Sequence, residues 1–288
     1  MTSYLMILAA VVLLSLDFAV SKLYQKREGT TGTAGLYYNA AIGLVSGVLF
    51  WGISGFRFSL TPFSAVMAVA MALFAVVYTL IGFRIMKKGS MAVYTLFLMS
   101  GGMLLPYFYG LIFLEETFSV LRLAGLGAIL AAVVLSNGER KTIDKELVLL
   151  CAAVFVLNGF VSIVSKCHQI EAEYETVNSA QFVMLTGFAK FIISAVALVF
   201  VGRKEKEALP KTAGVLPLVV GSAVLSGGSY LLQLMGAKDL PATVLYPMVT
   251  GGSILFTAFA GKLFFREKIT KRQWISIGLC VLGTLLFL

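Results

Sequence analysis

Residues 110–116 read GLIFLEE and residues 261–267 read GKLFFRE, each at the end of a long apolar stretch. Working outward, Gly127 answers to Gly278, and Gly101-Gly102 answers to Gly251-Gly252 with one residue of slip. Near the start of each half, Ser21-Lys22-Leu23-Tyr24-Gln25 stands against Ser165-Lys166-Cys167-His168-Gln169. The chain therefore reads as a duplication, with one copy over 1–137 and the other over 138–288.

Between these markers lie ten apolar stretches, approximately 3–24, 33–53, 62–84, 90–113, 118–136, 146–166, 177–202, 212–235, 241–264 and 271–288. A hydrocarbon core about 30 Å thick is crossed by roughly 20 apolar residues in a helix. With 59% apolar and only 13% charged residues, the chain lies far from a soluble domain. Its polar residues are confined to short connectors, as lipid demands of a backbone that must satisfy its own hydrogen bonds. The expected fold class is an all-α integral membrane protein with ten transmembrane helices in two inverted five-helix repeats. The inversion follows from the odd number of spans per copy, and it is the plan of secondary transporters.

The formal charge of +9 does not point to nucleic acid, because its distribution follows the loops. One set of alternate loops carries Lys22, Lys26, Arg27, Arg84, Lys87, Lys88, Arg140, Lys141, Lys145, Arg203, Lys204, Lys206, Lys211, Lys262, Arg266, Lys268, Lys271 and Arg272. The other set carries Arg57, Arg122, Lys166 and Lys238. By the positive-inside rule, this multi-pass cell-membrane protein is expected to place both termini on the non-cytoplasmic side. No Lys or Arg precedes Lys22, so the first stretch is read as a span and not as a removable signal peptide. Cys151, Cys167 and Cys280 show neither CxxC nor metal spacing and are read as small apolar fillers.

The two five-span halves end in LEETFSVLRLAGLGAIL and REKITKRQWISIGLCVLG. With these acidic turns and glycine-bearing last spans, the chain resembles the EamA family of the drug/metabolite transporter superfamily over essentially its whole length. That resemblance implies ten helices, a central cavity between the halves and movement of small organic solutes such as amino acids, other metabolites or cationic compounds. Its motifs are specific for the fold and nearly silent about substrate. Family members commonly keep both termini in the cytoplasm, and the loop charges here favour the reverse.

Polar side chains within spans mark the faces that look away from lipid. The eighth span carries Ser222, Ser226, Ser229, Tyr230 and Gln233 at helical spacing, and the ninth carries Tyr246, Thr250, Ser253 and Thr257. The second span carries Asn39, Gly43 and Ser46, and the sixth carries Asn158, Ser162, Ser165 and Gln169. Such residues serve as interhelical hydrogen bonds or line a wet cavity, and stripes of four favour the cavity. Gly101-Gly102 and Gly251-Gly252 sit mid-span, where they permit either tight packing or local unwinding beside Pro106 and Pro247. The GxxxG of Gly43 and Gly47 is read as packing.

Asp17 and Lys190 are the two charges placed well inside spans, where a charge costs about 2.5–3.5 kcal/mol on insertion scales and is read as functional by default. Tyr78, Tyr94, Tyr230 and Tyr246 form two repeat-related pairs suited to a cavity wall, whereas Tyr107 and Tyr109 are assigned to the aromatic belt at the membrane interface. His168 is expected on the surface.

The chain has no Walker, HExxH or GxSxG motif, so it is expected not to be an enzyme and to hold no cofactor or metal. Without a nucleotide site, uphill movement would draw on a proton or a counter-solute. The expected partners are membrane lipid and a small-molecule substrate, and the expected substrate-binding residues are Asp17, Asn39, Tyr78, Tyr94, Gly101, Gly102, Asn158, Lys190, Tyr230, Gln233, Tyr246, Gly251 and Gly252. The leading function is alternating-access transport of an amino acid or related zwitterionic metabolite. A choline-like or drug cation, or a scaffold or accessory role without transport, is the alternative.

Overall fold

The computed structural model describes residues 2–29, 31–88, 91–137, 145–205, 212–265 and 270–287. Arg140, Lys141, Lys206, Lys211, Arg266, Glu267 and Lys268 lie outside them. The described residues form ten helices and no strand: α1 (Thr2–Glu28), α2 (Gly32–Ile53), α3 (Pro62–Lys88), α4 (Met91–Phe113), α5 (Val120–Asn137), α6 (Lys145–Ile170), α7 (Ser179–Glu205), α8 (Thr212–Asp239), α9 (Ala242–Phe265) and α10 (Lys271–Leu285). Eight of these are long and apolar enough to cross a membrane. The other two, α5 and α10, are shorter, and α10 has 15 residues, a length of about 22 Å.

Local chemistry sets several boundaries. Thr31 opens α2 by accepting from the Ala34 amide at 3.2 Å. Thr270 opens α10 with a reciprocal capping box to Gln273. Along α7, Ile192, Val196, Val199 and Phe200 form an exposed apolar stripe, the surface a bilayer would cover.

α1 packs on α8 and α9, while α6 packs on α3 and α4; α2 packs on α7, α4 on α9 and α5 on α10. Exchanging the first five helices with the last five carries each of these pairs onto another in the same set, consistent with two interlocked halves. Glycines allow the closest crossings. A Cβ on Gly43 would stand 2.8 Å from the Gly187 carbonyl oxygen, and one on Gly125 would stand 2.8 Å from that of Gly283. The packing role read for Gly43 and Gly47 is therefore what the structure shows.

The molecule has two ends. At the first, Ser3 at the start of α1 donates to Asp239 at the end of α8 over 2.7 Å. At the second, Arg27 near the end of α1 lies against Gly214 at the start of α8. The second end carries Lys22, Lys26, Arg27 and, on the other helices that begin or finish there, Lys145 and Lys271.

Three residues differ from the sequence reading. Tyr107 is 1% exposed and belongs to the core around Met103, Leu126 and Leu245, not to an aromatic belt. Lys166, counted as a loop charge, lies within α6 and is 4% exposed; His168, expected on the surface, is 1% exposed. In each case the partners come from helices remote in sequence, which hydropathy cannot reveal.

Candidate functional site

Asp17 sits deep in α1 and is buried. Its carboxylate accepts a hydrogen bond from the Ser222 hydroxyl on α8. Tyr38 of α2 donates to Ser222 Oγ at 2.8 Å and lies 3.2 Å from Ser21 Oγ, one turn beyond Asp17 on α1. The Tyr38 ring stacks on Tyr24 with centroids 4.0 Å apart. Tyr24 is itself fixed by donating to the Ala34 carbonyl at 2.8 Å. Three helices thus converge on one carboxylate.

Lys190 of α7 lies within electrostatic reach of Asp17 but makes no ion pair or hydrogen bond among the described residues. One turn further along α7, the Ser194 hydroxyl is fully buried and also without a partner among the described residues. The pair expected from the sequence is therefore brought together, yet it is not closed into a salt bridge. Asn39 lies on the same helix as Tyr38, half-buried.

The other candidate residues fall into separate groups. Asn158 Nδ2 donates to the Leu98 carbonyl at 2.7 Å, Ser162 Oγ to that of Gly102 at 3.3 Å, and Tyr246 OH to that of Ser162 at 2.5 Å. Tyr230 OH meets Ser165 Oγ at 2.9 Å and Met71 Sδ at 3.0 Å. Tyr78 and Tyr94 pack beside the Ile85, Leu147, Cys151 and Val154 cluster. Gln233 donates to Ser229 Oγ at 3.1 Å, and Ser229 donates to the Ala10 carbonyl at 2.7 Å. Much of the expected cavity lining thus serves helix pairing.

The paired glycines lie at helix crossings as well. A Cβ on Gly101 would collide with the Phe155 carbonyl oxygen of α6; Gly102 faces Asn158. Gly251 faces Thr284 and Ile129, and Gly252 faces Val11 at 2.8 Å. Their surroundings are those of close packing.

At the first end of the molecule is a group the sequence reading did not identify. The Lys166 ammonium donates to the carbonyls of Ala237 and Leu240 at 2.6 and 2.7 Å. It thereby satisfies acceptors that the end of α8 leaves open and opposes the negative end of the helix dipole. The Glu116 carboxylate accepts from the amides of Ala242 and Thr243 at 2.6 and 2.8 Å, capping the start of α9. The α8–α9 turn is pinned from both sides.

The first copy of the heptapeptide, residues 110–116, now has a physical meaning. Glu115 takes a left-handed φ of +52° and turns the chain after α4. A Cβ on Gly110 would stand 2.7 Å from the Glu116 carboxylate, so glycine lets that side chain cross over α4 to reach α9. The signal G-x5-E was visible in the sequence, but its partner amides were not.

His168 meets Gln169 Nε2 through Nδ1 at 2.7 Å and Ser64 Oγ through Nε2 at 2.9 Å. Its ring stacks on Phe182 with centroids 3.6 Å apart. An apolar crevice of about 160 Å³ lies between α1, α9 and α10, walled by Leu8, Val11, Met248, Phe256 and Val281.

Residues 145–288 match the EamA-like transporter family. Similar curated proteins are the probable 4-amino-4-deoxy-L-arabinose-phosphoundecaprenol flippase subunits ArnE of Hamiltonella defensa subsp. Acyrthosiphon pisum (strain 5AT), 37% identical over 65 residues, and of Aeromonas salmonicida (strain A449), 31% identical over 70 residues. The matched stretches cover 23% and 24% of this chain and 58% and 60% of those proteins. The chain therefore spans under two thirds of the length of these relatives. A crystal structure of a protein 16% identical in sequence superposes with a TM-score of 0.80, over 99% of this chain and 96% of that one. That likeness speaks for the fold alone.

Proposed function

The chain belongs to the EamA-like transporter family, and from that membership we propose that it is a secondary transporter moving a small polar organic solute by alternating access, with no catalytic step. The halves 1–137 and 138–288 are the units that move against each other. Amino acids and related zwitterionic metabolites are the leading substrate class.

The observation that carries this reading is the pair Asp17 and Lys190. A structural ion pair inside a membrane would close to contact, because low dielectric rewards it and penalises each charge left alone. Here Asp17 is held by Ser222 while Lys190 has no hydrogen-bond partner among the described residues. A solute with an ammonium and an acid group complements both: the ammonium meets Asp17 and the acid meets Lys190.

A second reading rests on the curated relatives, whose names specify an amino sugar linked to a polyprenyl phosphate. Such a substrate also presents an amine and an anionic phosphate, so it would use the same two residues. The apolar crevice beside Val11 and Met248 would then take part of its hydrocarbon chain.

A thermal-shift screen of the purified protein against amino acids, quaternary amines, organic phosphates and polyprenyl-phosphate amino sugars tests these readings. A ligand at 100 times its Kd adds about 2.7 kcal/mol of stability. Stabilisation by zwitterionic amino acids, lost in both Asp17→Asn and Lys190→Met, is the expected outcome. Stabilisation only by quaternary amines would favour a cation transporter, one only by lipid-linked sugars would favour the second reading, and none at all would favour a scaffold.

A further inference from the structure

We propose that Ser21, Tyr38 and Ser222 form a proton relay that loads the Asp17 carboxylate from the basic end of the molecule. This rests on Asp17 lining the transport path, and it assigns to that residue the coupling of solute movement to protons.

Hydrogen-bond chemistry fixes the direction of the chain. An ionised carboxylate only accepts, so Ser222 gives its single proton to Asp17. The Ser222 oxygen must then accept, and Tyr38 donates to it at 2.8 Å. With its own proton so committed, Tyr38 accepts from Ser21 at 3.2 Å. Every hydroxyl therefore points toward Asp17.

Ser21 is half-buried, and it is the member of the chain nearest the end of α1 that carries Lys22, Lys26 and Arg27. A proton taken up by the Ser21 oxygen displaces the Ser21 proton to Tyr38. The Tyr38 proton passes to Ser222, and the Ser222 proton passes to Asp17 Oδ1. One proton has entered and one carboxylic acid has formed. Rotation of the three hydroxyls restores the starting order after Asp17 releases its proton elsewhere.

The surroundings suit a proton that arrives by hydroxyls. The titratable side chains that reach toward Asp17 from other helices are Tyr38 on α2 and Lys190 on α7. On α1 itself, Lys22 and Tyr24 follow toward the helix end. From α8 the facing group is the Ser222 hydroxyl, and α9 meets α1 through Gly252 against Val11; its Tyr246 is bonded to Ser162 and its Lys262 lies in the last turn. Loading Asp17 leaves Lys190 as the only charge at this depth among the described residues, so proton arrival and solute release favour one another.

The test uses full-length protein in lipid nanodiscs without added solute. A light-triggered caged-proton jump is followed by time-resolved infrared absorption of the carboxylic acid carbonyl, and Asp17→Asn identifies the band. Tyr38→Phe is expected to slow the rise of that band at least tenfold while leaving its final amplitude, and Ser21→Ala is expected to slow it in the same sense. Unchanged rates in both variants overturn the proposal, and so does a band that survives Asp17→Asn. If Tyr38→Phe does not fold, Ser21→Ala alone decides, since its hydroxyl packs at a half-exposed position. Because no solute is present, failure of the zwitterion reading in the thermal screen leaves this result intact, and the converse also holds.

Discussion

Lys166 shows what a single residue can hide from its sequence. It follows an apolar run and stands near the end of a span, so hydropathy assigns it to water. Its partners, Ala237 and Leu240, are more than 70 positions away. Lys166→Met would leave two carbonyls at the end of α8 without a donor, and hydrogen bonds to a charged group are worth about 1.5–3 kcal/mol each. We expect a loss of about 3 kcal/mol in stability, read as a lowered thermal midpoint, with Lys166→Arg falling between Lys166→Met and wild type. Asp17 and Lys190, by contrast, stand out in the sequence as mid-span charges, read there as functional or as a structural ion pair, and the fold brings them within electrostatic reach. For them the double variant Asp17→Asn with Lys190→Met is expected to remain folded and to lose solute-dependent stabilisation. A double variant that binds as wild type does, with the same pH profile, would reduce the pair to a structural one. The partner chemistry around Asp17 is less legible, since only the fold brings Tyr38 of α2 to Ser222 of α8.

The element scale separates glycines that the sequence makes look alike. Gly101 and Gly127 both belong to the repeat. A Cβ on Gly101 would strike the Phe155 carbonyl oxygen, whereas one on Gly127 meets nothing within 4 Å. Gly101→Ala is therefore expected to part α4 from α6 and lower the thermal midpoint. Gly127→Ala should raise stability by up to about 1 kcal/mol through the lower backbone entropy of alanine in a helix. Opposite signs in the two melting curves are the expected result, and the same sign in both would refute the packing account. The Glu116 cap belongs to this scale too: Glu116→Ala removes a charged acceptor from two amides at the start of α9 and should cost about 1–2 kcal/mol, the range of N-cap deletions. Length and hydropathy located each of the ten helices, since lipid and backbone hydrogen bonding leave few alternatives. What hydropathy could not supply was the use of each polar stripe. Ser226 and Ser253 return to carbonyls of their own helices at 2.6 Å, while Ser229 and Asn158 join neighbours.

At the scale of the whole molecule, the two ends differ. At the first end α6 packs on α8, with Lys166 on the α8 carbonyls and Ser165 on Tyr230. Exchange of the halves relates that contact to one between α1 and α3 at the basic end, and no comparable contact joins α1 to α3 among the described residues. On the proposed alternating-access function, in which one end closes while the other opens, this arrangement would correspond to access from the basic end, where Ser21 lies. By the positive-inside rule the loop charges lead us to expect that end in the cytoplasm, against the usual orientation implied by the family resemblance. Both statements are open to one experiment. Cys151, Cys167 and Cys280 are replaced, a single cysteine is introduced as Ser21→Cys or Ser165→Cys, and a membrane-impermeant thiol reagent is applied to cells or to inside-out vesicles. Labelling of Ser21→Cys in inside-out vesicles, with Ser165→Cys protected from both sides, is the expected pattern. Labelling of Ser21→Cys from outside the cell would reverse the topology, and labelling of Ser165→Cys from the N-terminal side would show the α6–α8 closure to be open in the membrane. Topology has its own control in a cytoplasm-only fluorescent reporter fused after residue 288, which should stay dark if the basic loops face inward.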